Sequence, residues 1–188
     1  FSFNPSTPYA VSRAASDMLF KIYEKEYNIP IVFTRAANVY GPGQQLYRII
    51  PLTIFNLLSG KKISLHGGGQ STRAFVHMDD VSHATMLVSE HGENGQTYHI
   101  SPQELISISD LVKKICSKLN LSYAQHTKIT EDRIGKDSSY KLDSNKIRSS
   151  FSWREKITLD EGIDDTIAWV NANFDKLKKE PSTYVHKT

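Results

Sequence analysis

The sequence predicts an α/β fold: part of a parallel sheet, followed by a smaller α+β lobe. Three observations point there. Val11, Ala14, Ala15, Met18, Leu19, Ile22 and Tyr23 recur at the i, i+3, i+4, i+7 spacing of one buried helical face. Asn28 and Pro30 end that helix, and Ile29 to Thr34 follows as a short apolar run rich in β-branched residues, as expected of a strand covered on both faces. Helix then buried strand is half of a βαβ unit. From Lys62 onward the strands and helices shorten and mix, which reads as a separate lobe.

Taken in order, the strand gives way to a loop from Ala36 to Tyr47 carrying Gly41, Pro42 and Gly43, then to a helix from Arg48 to Leu58 that stops at Gly60. Ile63 to His66 is a strand, Gly67 to Gly69 a turn, Arg73 to His77 a second strand, and a helix opens at Asp79 or Asp80. Thr97 to Ile100 and Ile106 to Ile108 read as strands. Ser109 is placed to cap the next helix, whose apolar side is Leu111, Val112, Ile115, Cys116 and Leu119; Cys116, the single cysteine, reads as a packed thiol. Tyr140 to Leu142 is another short strand. Thr158 and Glu161 form a capping box for a last helix with Leu159, Ile163, Ile167, Val170 and Phe174 on its buried side, and Lys176 to Thr188 is a polar tail. Residues 1–60 thus form one unit, 61–175 the lobe and 176–188 the tail.

The 188 residues carry 23 Lys and Arg against 20 Asp and Glu, a net charge of +3, with 39% hydrophobic residues, which excludes most disordered classes. The basic residues are interleaved with acids and not with aromatics, so no nucleic-acid partner is indicated. The longest apolar run, Ile49 to Leu58, is too short to span a membrane. The chain starts at Phe1 with no secretory signal pattern, and the start looks trimmed. No G-x-G-x-x-G turn is complete: Gly41 and Gly43 are followed by Leu46, Gly67 and Gly69 by Thr72. There is no P-loop, no G-x-S-x-G elbow and no histidine pair at metal-ligand spacing, so no metal is expected.

Tyr9 and Arg13 lie one turn apart at the start of the first helix, on a side well over a right angle from the Met18 and Ile22 face. A cation within ~4 to 6 Å of a phenol favours the phenolate and brings the oxygen toward use as a base.

That pair sits in Pro8-Tyr9-Ala10-Val11-Ser12-Arg13-Ala14-Ala15-Ser16-Asp17, which resembles the Y-x-x-x-K helix of the extended short-chain dehydrogenases, the NAD-dependent epimerase/dehydratase branch in particular. Further matches follow collinearly: Asn38-Val39-Tyr40-Gly41-Pro42; Ile50-Pro51; Gly69 to Val81 with its Arg73-Ala74-Phe75 core; and Asp132-Arg133-Ile134-Gly135-Lys136-Asp137, which is similar to the D-R-P-G-H-D segment of the dTDP-glucose 4,6-dehydratases. The resemblance runs from Pro5 to Trp169.

The resemblance implies an incomplete, Rossmann-like parallel sheet plus a sugar-nucleotide lobe, in the C-terminal part of a cytoplasmic, homodimeric lyase that uses NAD. In that family the tyrosine is the catalytic base and the helix cation holds the cofactor ribose, which assigns Tyr9 and Arg13 to catalysis and, with Val39, to NAD. Asn38, Arg48, Ser64, Leu65, His66, Arg73, Arg133 and Asp137 match substrate-contacting positions. Arg13 replaces the family lysine, and a planar guanidinium is no free substitute for a compact ammonium. His99 stands where the family commonly has Asn. The glycine turn and the acidic dehydration loop would lie before Phe1, so the resemblance covers roughly the second half of such an enzyme, and this piece alone is expected to be inactive. A UDP-sugar 4-epimerase and a non-catalytic sugar-nucleotide-binding module are the two rival readings.

Overall fold

A computed structural model describes residues 4–5, 7–131 and 139–183. Helix α1 (Pro8–Tyr27) starts where the Thr7 hydroxyl accepts the Ala10 N–H and proline occupies the first turn; it stops at Asn28, whose φ of 55° is left-handed. Strand β1 (Phe33–Ala36) pairs in parallel with β6 (Thr97–Ile100). It begins later than the apolar run predicts: Pro30 has no N–H for a ladder, Ile31 only accepts the Gly95 N–H, and the Phe33 N–H is the first in this segment to donate, to Gln96.

The predicted loop after β1 contains a strand of its own, β2 (Asn38–Tyr40), parallel to β5 (Phe75–His77). The single strand predicted over Arg73 to His77 divides at Ala74. Its first part, β4 (Thr72–Arg73), belongs instead with β7 (Ile106–Ser107), antiparallel, and β9 (Ser139–Tyr140), parallel. Strand β3 (Ile63–His66) pairs in parallel with β8 (Thr127–Thr130), which the sequence did not announce.

Strand β5 is buried along its whole length between two cores, whereas Lys128 and Ile129 of β8 stay exposed. On one side α2 (Ile49–Leu58), α4 (Ile108–Lys118) and α7 (Leu159–Ala172) enclose a core of Tyr40, Ile50, Ile54, Phe75, Leu111, Ile115 and Ile163. On the other, α3 (Met78–His91) and α6 (Asn145–Phe151) close over Ala74, Val76, Ala84, Tyr98, Ile100 and Trp153. Cys116 packs in the first of these cores, and burial pushes its thiol pKa up. Short helices α5 (Tyr123–His126) and α8 (Phe174–Leu177) complete the described chain, and α8 buries Leu177 where a polar tail is predicted.

Helix starts follow local hydrogen bonding more closely than residue class. The α7 capping box is present as predicted. In α4 the cap is Ser107, which accepts the Asp110 N–H, while Ser109 is already helical and bonds the Tyr123 hydroxyl at 2.8 Å. In α3 the His77 ring takes the cap position, and Asp80, almost fully buried, accepts the N–H groups of Lys156 and Ile157 at 2.9 and 3.1 Å.

The largest departure concerns α1. Its predicted buried face is open: Val11, Met18, Leu19 and Ile22 are about half exposed, and Ala14 alone is buried. Periodicity reports that a face is built to be covered, not that this stretch of chain covers it. Among the described residues, no helix is long and apolar enough to cross a membrane.

Candidate active site

The chain passes from β1 to β2 by changing ladder partner. Ala37 donates its N–H to Ile100, next to β6, and Asn38 donates its own to Ala74, next to β5, so the sheet divides between these two residues. Crevices where a parallel sheet divides are where α/β folds take up ligands. Here the crevice is a cavity of about 390 Å³ lined by Asn38, Val39, Tyr40, Gln44, Tyr47 and Arg48, among others.

The polar groups in it differ in how committed they are. The Asn38 amide gives one N–H to the Ala74 carbonyl at 3.1 Å, which aims the group and leaves its second N–H and its oxygen available. Gln44 is fixed by donating to the Val39 carbonyl at 2.6 Å. Arg48 is exposed, with its guanidinium 5.5 Å from the Tyr47 ring centroid. It is also the N-cap of α2, and no side chain caps that end, so the first-turn N–H groups beside Ile49 and Ile50 face the cavity region with a partial positive charge. An amide donor, a guanidinium and an open helix N-terminus in one crevice make a setting for an anion such as a diphosphate.

Of the predicted site residues, then, Asn38, Val39 and Arg48 are brought together. Tyr9 and Arg13 stand one turn apart on α1, both exposed, Tyr9 at 75%, and neither side chain bonds or pairs with another described residue. Ser64, Leu65 and His66 lie on β3; Leu65 points into the core, so this strand can offer a ligand the Ser64 and His66 side chains on its other face, and the His66 ring contacts the Thr130 hydroxyl at 3.0 Å. Arg73 is half-buried on β4 and donates to the Thr72 carbonyl at 2.7 Å. The cavity around Asn38 includes neither β3 nor Arg73. Arg133 and Asp137 lie outside the described residues.

Sequence reasoning missed Gln44 and Tyr47, whose signal was proximity to the Asn38 motif. It also passed over Tyr40 as a site-wall residue. Tyr40 is buried with no hydrogen-bond partner for its hydroxyl among the described residues, and its ring meets those of Phe75 and His77 edge-on. Burial, and then the charges of Asp80, Asp160, Asp165 and Glu161, push its pKa far up, so this phenol stays protonated and is not the base.

A family model described as GDP-mannose 4,6 dehydratase matches residues 1–166. The dTDP-glucose 4,6-dehydratase of Shigella flexneri is 33% identical over 92% of this chain and 49% of its own length. A trifunctional enzyme of Arabidopsis thaliana, named for UDP-glucose 4,6-dehydratase, 3,5-epimerase and reductase activities, is 32% identical over 90% of this chain and 25% of its own. The crystal structure of the Bacillus anthracis dTDP-glucose 4,6-dehydratase in complex with NAD superposes with a TM-score of 0.86 at 31% identity, over 93% of this chain and 57% of that one. The chain therefore spans half or less of the curated relatives described.

Proposed function

Because the chain belongs to the GDP-mannose 4,6 dehydratase family, we propose that it is the C-terminal portion of an NAD-dependent sugar-nucleotide 4,6-dehydratase of the dTDP-glucose type. The observation that carries the reading is the cavity beside β2 and the start of α2, where Asn38, Arg48 and the open end of α2 supply donors for a diphosphate. In this reading Asn38 and Arg48 hold the two phosphoryl groups, Arg73 and Arg133 grip the diphosphate or ribose, and Asp137, Ser64 and His66 meet the nucleoside side of the substrate, while Leu65, buried in the core, only fixes the strand.

Tyr9 takes the proton from the sugar hydroxyl that becomes the ketone and returns it later, and Arg13, one turn further along α1, meets the cofactor ribose. The uncommitted phenol and cation of Tyr9 and Arg13 on one exposed side fit the ribose and nicotinamide end of NAD, with Val39 as an apolar wall. NAD, when bound, supplies the hydride exchange on either side of the dehydration. The carboxylates that remove water, and the glycine turn for the pyrophosphate, are assigned to a portion of the protein not in this chain. A homodimer in the cytoplasm follows from the same family reading.

The test uses the longer protein that carries this chain, incubated with NAD and either dTDP-glucose or UDP-glucose. The expected product is a 4-keto-6-deoxy sugar nucleotide, one water lighter, preferentially from the dTDP sugar. Interconversion of UDP-glucose and UDP-galactose with no water loss would establish a 4-epimerase instead. The 188-residue chain alone should bind dTDP and produce no keto sugar.

A further inference from the structure

Helix α1 carries the proposed base yet has little holding it. One residue, Ala14, is buried, and the side predicted to pack is open. Among the described residues, one side-chain ion pair ties it to the rest of the fold, and one further acidic side chain comes near. The Glu24 carboxylate lies beside Gly95, where an added Cβ would stand 3.3 Å from its Oε2. Nearer the site, Asp17 accepts from the Arg35 guanidinium in a half-buried ion pair.

The placement of that pair is specific. Tyr9, Arg13 and Asp17 follow one another at four-residue spacing, each about 40° further round the helix, so Asp17 lies on the same side as the proposed base. Arg35 is in β1, three residues before Asn38, in register with His99 of β6. We infer that the Asp17–Arg35 ion pair is a positioning device, seating the helix that bears Tyr9 on the strand that leads to Asn38, and so fixing the phenol relative to the bound sugar. This rests on the reading of Tyr9 as base.

The lever is long enough to matter. Eight residues of helix put Tyr9 about 12 Å from Asp17, so a tilt of ~10° about the pair moves the phenol's backbone by about 2 Å. A misplacement of ~1 Å in a reacting group costs on the order of 100-fold in rate.

Two measurements test it. In this chain, hydrogen exchange should show the α1 amides of Asp17→Asn exchanging at least about tenfold faster than in the unsubstituted chain, with α2 and α3 unchanged. In the longer protein, Asp17→Asn should lower kcat about 100-fold with KM for dTDP-glucose within about threefold and the melting point unchanged. The exchanged pair Asp17→Arg with Arg35→Asp should regain at least about tenfold of that loss. Unaltered α1 exchange overturns the seating whatever the enzyme's activity. Faster exchange with kcat within about twofold of the unsubstituted enzyme, or a loss that follows KM or melting point, overturns the link to the base. An unsubstituted enzyme that makes no keto sugar counts against the proposed function, and the exchange result then still decides the seating.

Discussion

Replacing Gly162 with alanine sets a methyl group against the Tyr40 ring. Gly162 is inside α7, where an exposed Gly→Ala change would stabilise by about 1 kcal/mol through helix propensity. Here an added Cβ collides with the Tyr40 hydroxyl oxygen and stands 2.8 and 2.9 Å from ring atoms Cζ and Cε2. The ring cannot retreat freely, being buried and flanked edge-on by Phe75 and His77. Overpacking a rigid site of this kind costs up to ~3 kcal/mol, and subtracting the propensity gain leaves a net loss of about 2 kcal/mol. For a chain of this size that is a fall of about 4–8 °C in melting temperature. Because Tyr40 also lines the cavity beside Asn38, the displaced ring should weaken dTDP binding in the same variant. Tyr40→Phe removes an unpartnered buried hydroxyl and should stay within about 1 kcal/mol of the parent. In the double variant the oxygen contact is gone and the two carbon contacts remain, so about 1 kcal/mol should be recovered. Urea denaturation of the four proteins closes the cycle. A Gly162→Ala chain as stable as its parent would refute the argument, since it would mean α7 does not press on Tyr40.

Asp80→Ala strips the acceptor from the Lys156 and Ile157 N–H groups, two bonds to a buried charge, and should destabilise by about 3 kcal/mol in the same denaturation assay. His99 has its pKa lowered, first by burial and then by the nearby Arg35 charge, so the neutral ring belongs to the folded state; its contribution is present above the unfolded value of 6.5 and is lost as pH falls below it. His99→Asn should therefore flatten the decline of stability between about pH 6.5 and 5, read from melting temperatures across that range. For Tyr40 the shift is upward from 10.0, so its contribution is present below that pH and is lost above it; Tyr40→Phe should soften unfolding in alkali, followed by circular dichroism. Asn38→Asp turns a donor into a second anion facing the diphosphate and should lower dTDP affinity at least about tenfold in calorimetric titration, with the melting point little changed.

The sequence made legible whatever is written as a local pattern. The capping box at Thr158, the β3 strand at Ile63 to His66 and the end of α1 at Asn28 are all read from neighbours in the chain. Strand β2 was hidden because Asn38-Val39-Tyr40 runs into Gly41-Pro42, a turn signal, and nothing nearby shows that its partner is Phe75 to His77. The division at Ala74 escaped for the same reason: a five-residue stretch with an apolar centre does not say that its two ends join different ladders. In the site, Asn38 and Arg48 stood out through a resemblance, whereas the cavity that joins them exists only once β1 and β2 take different partners. The cover for α1 was not legible at all, since amphipathic spacing carries no information about the opposite surface.

The ladders described above also dictate an order of events as the polypeptide emerges and collapses. Phe33 must wait for Thr97, Asn38 for Phe75, Ile63 for Thr127 and Thr72 for Ser139. No hairpin joins sequence neighbours among these described strands, so every pairing closes a long loop and loses chain entropy before it gains a bond. Helices α2, α3 and α4 can form early from local contacts, and strand partners are recruited afterwards. Acquisition of native structure should therefore be slow for a domain of this length, and the late step should be the arrival of β8 and β9, which complete two ladders.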